Sequence, residues 1–76
     1  MVIYVKNDCP KTLKDLEDVL DGNVIAIYME GAWIPLPNLN TPLKDGMKVL
    51  VKVFNDKEKE EYEEAVRELG CKVEFR

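Results

Sequence analysis

The sequence predicts a small α+β domain, and three patterns carry that prediction. Val2-Ile3-Tyr4-Val5-Lys6, Val24-Ile25-Ala26-Ile27-Tyr28-Met29 and Met47–Phe54 are β-branched and apolar, as strands are. Two further segments place apolar residues at helical spacing among charges. After Gly70, Cys71, Val73 and Phe75 alternate with Lys72, Glu74 and Arg76, the period of a strand with one buried face. Seventy-six residues suffice for one domain, 1–76. A chain of that size buries only roughly 60–65% of its unfolded surface, so every element must contribute to the core.

The first strand stops at Asn7-Asp8. Cys9-Pro10-Lys11 reads as short and extended, because a residue before proline avoids the helical region. Thr12 is placed to cap a helix, with Asp15 three residues on. Leu13, Leu16, Val19 and Leu20 form its apolar stripe, and Gly22 stops it. The second strand, apolar on both parities, turns at Glu30-Gly31 into Ala32-Trp33-Ile34. Pro35 and Pro37 deny this return strand ladder donors, which puts it at a sheet edge. Residues 38–46 read as an irregular crossing with one short helical turn. Asn55-Asp56 opens a second helix, in which Tyr62, Ala65, Val66 and Leu69 share a face.

Both parities of the main strands are apolar, so both sheet faces ask to be covered. The expectation is a sheet sandwiched between the two helices. Without that cover, Tyr4, Leu50 and Phe54 would form an exposed patch, which is the mark of a partner site. The expected strand order is 71–75, 2–6, 48–54, 24–30, 32–36.

Thr12-Leu13-Lys14-Asp15-Leu16 opens the helix, Gly31 sits in the turn and Thr41-Pro42-Leu43-Lys44-Asp45-Gly46 precedes the next strand. A turn Gly, an apolar-Pro pair and an Asp-Gly, here Gly31, Ile34-Pro35 and Asp45-Gly46, recur in that order in one superfamily. On them, residues 1–54 resemble the β-grasp (ubiquitin-like) fold, in particular the ThiS/MoaD sulfur carriers and the TGS domains. The resemblance implies a β-grasp core at 1–54 with Val2–Val5 parallel to Val49–Val53, and a helix-strand extension at 55–76. A ferredoxin-like βαββαβ arrangement, with 37–47 as an insertion, would make that pair antiparallel instead. In the sulfur carriers the chemistry resides in a C-terminal Gly-Gly, for which this chain has Asn55-Asp56-Lys57. The implied function is a non-catalytic interaction or accessory module lacking the carrier tail. The alternatives are a sulfur carrier in molybdopterin or thiamine biosynthesis, or a TGS-like ligand- or RNA-binding module.

The chain has no His, Ser or Gln, which removes the usual general base, hydroxyl nucleophile and commonest metal ligand. No catalytic, cofactor or metal site is expected. The net charge of −4 resides in residues 56–70, since 1–55 carry −1 and 71–76 carry +1. Lys and Arg do not cluster along the sequence, so no nucleic acid partner is expected. Glu58, Glu60, Glu61, Glu63 and Glu64 read as a solvated helix face rather than a cation cage. Cys9 and Cys71 read as ordinary thiols with Cys71 buried; a disulfide between them requires their strands to be neighbours. Cys9 would be a nucleophile only beside a base that lowers its pKa. Trp33, with Pro35, either packs over the 35–39 crossing or anchors a partner protein. With no membrane-length apolar run and no leader pattern at Met1-Val2-Ile3, the expected setting is the cytoplasm, as a monomer or weak homo-oligomer.

Overall fold

The computed structural model describes residues 1–7 and 11–76. Its elements are β1 (Val2–Val5), α1 (Leu13–Val19), β2 (Val24–Met29), β3 (Ala32–Pro35), β4 (Lys48–Val51), α2 (Asp56–Glu68) and β5 (Val73–Phe75). The five strands form one sheet in the order β3-β2-β4-β1-β5, the order expected from the sequence.

Every neighbouring pair is antiparallel, including β1 with β4, where Ile3 faces Val49 and Tyr4 faces Lys48. The parallel pairing implied by the β-grasp resemblance is therefore corrected. One consequence is topological. Two antiparallel steps make β2 parallel to β1, with β4 between them, and β5 parallel to β4, with β1 between them. The crossovers through α1 and α2 thus start from oppositely directed strands and travel in opposite directions across the sheet. Crossovers of this kind are right-handed in nearly all proteins, and reversing both direction and travel leaves the helix on the same face.

Both helices accordingly pack on one side. Leu13, Leu16 and Leu20 from the first helical segment and Tyr62 and Val66 from α2 join Ile3, Val5, Ile27, Val49 and Val51 in a single core cluster. The sandwich expected from the sequence is not formed. Tyr4, Lys48 and Leu50 stay half-buried on the other face.

Local chemistry explains the elements. The Thr12 backbone N–H donates to the Asp15 carboxylate at 3.2 Å, one half of a capping box. The next two orphan N–H groups of α1, those of Leu13 and Lys14, donate to the carbonyls of Thr41 and Leu39. The 36–47 crossing is therefore held against the start of α1, and it contains turns rather than the expected helical turn. Leu43 pins it to the core, and its N–H donates to the Lys11 carbonyl. Gly46, at φ +91°, supplies the left-handed turn back into β4. α2 is capped by Asn55, whose side chain accepts the Glu58 N–H at 2.8 Å. Tyr62, at its centre, accepts a 2.7 Å hydrogen bond from the Asn23 side-chain amide and so ties α2 to the start of β2.

Cys71 is buried and disulfide-bonded, which corrects its reading as an ordinary thiol. The strand adjacency that such a bond requires is present, because β5 pairs with β1. Cys9, the extended 9–10 segment and the question of a reactive Cys9 thiol lie outside the described residues. No helix is long and apolar enough to cross a membrane among the described residues.

Candidate functional site

The strand registers assemble one continuous row on the uncovered face. Trp33 in β3 faces Tyr28 in β2, Tyr28 faces Lys48 in β4, Lys48 faces Tyr4 in β1, and Tyr4 faces Glu74 in β5. At roughly 4.8 Å per strand, five strands spread this row over about 19 Å. Directly opposed pairs alternate with their neighbours between faces, so all five side chains share the face that the helices leave open.

The row is aromatic and cationic from Trp33 to Tyr4 and ends in the acidic Glu74. The Tyr28 and Trp33 rings meet edge to face, with centroids 5.4 Å apart and planes at 62°. The Lys48 ammonium lies 4.8 Å from the Tyr28 ring centroid and 5.4 Å from that of Tyr4. The Arg76 guanidinium lies 5.1 Å from the other contact of the row, the Tyr4 ring. Lys6 and Arg76 flank Glu74 at 3.5 and 3.8 Å, pairs that are exposed and therefore weak. Beyond β4, Lys52 lies over the exposed Phe54 ring at 4.8 Å. Neither Lys48 nor Lys52 forms a salt bridge among the described residues. A shallow depression of about 430 Å³ adjoins the β1–β5 end of the row, lined by Lys6, Asn7, Cys71, Lys72, Val73 and Glu74.

Trp33 is 46% exposed and all of β3 is accessible. Its ring meets that of Tyr28. Pro35 lies two residues along β3, opposite Ala26. Of the exposed patch expected for an uncovered sheet, Phe54 is 68% exposed, while Tyr4 and Leu50 are half-buried. Tyr28, Lys48 and Arg76 were not singled out from the sequence. Their parity within each segment was readable, but their alignment depends on which strands are neighbours.

The helical side differs in charge. Asp15, Glu17 and Asp18 belong to α1, and Asp56, Glu58, Glu60, Glu61, Glu63, Glu64 and Glu68 to α2. Among the described residues no group of three or more His, Cys, Asp or Glu is placed to hold a metal. The pKa of Tyr62 is raised. Burial pushes its phenol above 10.0, the Asn23 hydrogen bond pulls it down, and Glu58 and Asp21 add to the rise. It is a structural group on the buried side of α2, across the sheet from the open row.

No protein-family model, no curated protein and no solved structure matches this chain.

Proposed function

We propose that the protein is a small non-catalytic binding module that works through the open face of its sheet. One observation carries this reading: Trp33, Tyr28, Lys48 and Tyr4 stand in register on a face that neither helix covers. Half-exposed aromatics in a contiguous row cost solvation in the free protein and reward a partner that buries them.

For the lineage of that module, the antiparallel β1–β4 pair favours the ferredoxin-like arrangement, with β3 as an added edge strand. The 41–46 segment is what supports a β-grasp kinship, and its work in this chain is to turn and anchor the crossing. A sulfur-carrier role draws little support from residues 55–76. α2 packs into the core, and the backbones of Val2 and Arg76 exchange two hydrogen bonds.

The test is photo-crosslinking in cells. A crosslinking side chain is placed at Trp33 in one variant and at Glu61, on the exposed side of α2, in another. Adducts that form from position 33 and not from 61 are expected. Equal labelling at both positions, or none at 33, defeats the proposal.

A further inference from the structure

Resting on that reading, we infer that the partner of the open face is single-stranded nucleic acid. Stacking and charge, both visible on this face, point to it together.

The first argument is shape and chemistry. Unpaired bases offer flat π-surfaces, and exposed aromatic side chains on a sheet bind them with little regard to sequence. Trp33 is an exposed ring of this kind, and Tyr4 and Tyr28 in the same row are half-exposed. The Lys48 ammonium lies over the Tyr28 and Tyr4 rings, so stacking of bases there requires it to swing off them, toward a phosphate.

The second argument is the distribution of charge. The chain as a whole is acidic, yet the open side carries Lys6, Lys48, Lys52 and Arg76 against Glu74. By strand parity Lys6 follows Tyr4, Lys52 follows Lys48 and Arg76 follows Glu74 onto this side. The acidic residues of α1 and α2 lie on elements packed against the opposite face. A polyanion approaching the sheet is attracted, and one approaching the helices is repelled. The same distribution opposes a second copy of the chain in this position, because face-to-face packing would bring the two sets of cations together.

The contacts are non-covalent, and the single Trp33 reports on them. Short single-stranded oligonucleotides of about eight residues are titrated into the protein at about 50 mM salt. We expect Trp33 emission to be quenched and the amides of β1, β2 and β4 to shift while those of α2 stay in place. With Lys48, Lys52 and Arg76 engaged, log K should fall with log salt at a slope of about −2. Tyr28→Ala should weaken binding at least about fivefold. Lys48→Ala, a half-buried surface change that tests charge without touching the core, should weaken it and flatten the salt slope. A duplex of the same length should bind less well, because its bases are already stacked.

The inference is overturned if millimolar oligonucleotide leaves Trp33 and the sheet amides unmoved. It is equally overturned if Lys48→Ala and Tyr28→Ala bind as well as the parent. A Glu- and Tyr-rich peptide is titrated in parallel. If it shifts the same amides and the oligonucleotide does not, the nucleic acid inference falls while the binding-module reading survives. If position 33 crosslinks nothing in cells, both fall.

Discussion

The two faces of the sheet are built from the same strands and have opposite fates. On one, Ile3, Val5, Ile27, Val49 and Val51 lie beneath two helices and are essentially inaccessible. On the other, Val2, Tyr4, Tyr28, Lys48 and Leu50, each adjacent in sequence to a core residue, remain half-exposed. Both sets are largely apolar, so hydrophobicity does not separate them. What separates them is the helix cover, and residue type follows it only in part, since Val2 and Leu50 are aliphatic while Tyr4, Tyr28 and Lys48 are not. The covered face is aliphatic and packs by shape. The open face adds aromatic and cationic side chains, which hold one another through ring and ammonium contacts while keeping surface available. The lesson is that an apolar strand face is not in itself a core face.

That contrast can be broken most directly by truncation. Leu16→Ala, beneath the sheet, should cost about 2–5 kcal/mol. Leu50→Ala, half-buried on the open side, should cost roughly 1 kcal/mol. Urea unfolding of the two variants measures both, and equal losses would mean that the open face is as much a core as the other.

Reduction comes next. Because Cys71 is disulfide-bonded on the buried side, a reducing agent should lower stability by about 2–4 kcal/mol. The drop should appear as a shift of the urea midpoint, and an unchanged midpoint would remove that bond from the account.

Tyr62→Phe should cost about 1 kcal/mol by leaving the Asn23 amide without its acceptor. The pH dependence gives a finer reading. Below pH 10.0 folded and unfolded chains both retain the phenol proton, so the contribution is complete. Above it the unfolded chain loses its proton first, so stability declines as pH rises from there through the higher folded value. Thermal scans from neutral to strongly alkaline pH should show this decline in the parent and a smaller one in Tyr62→Phe.

The smallest effect sharpens the contrast from the edge of the sheet. Glu30 and Gly31 sit at φ +53° and +81°, a two-residue turn of the type that favours Asn-Gly. Glu30→Asn should raise stability by about 0.5 kcal/mol, a fraction of the roughly 1–2 kcal/mol that the left-handed region costs an ordinary residue. Denaturation of that variant, with the sheet-face chemistry unchanged, checks it. A loss would indicate that Glu30 contributes through some contact other than the turn.

Much of this architecture is legible in the chain itself. Periodicity places both helices, and the Thr12 and Asn55 caps start them. Pro35 and Pro37 put β3 at the edge, and the alternation from Cys71 onward yields β5, so that even the strand order follows from the segments. These features are local, or depend on pairwise fits that each strand carries in its own side chains. The direction of β4 relative to β1 is different. It depends on how the 36–47 crossing is held by the start of α1, through backbone hydrogen bonds that leave no mark in composition. That direction decides the side on which α2 packs, and hence that one apolar face stays open. The row from Trp33 to Glu74 draws residues from five segments spread along the chain. Only folding aligns them, because cross-strand register is a relation between backbones and no single segment encodes it.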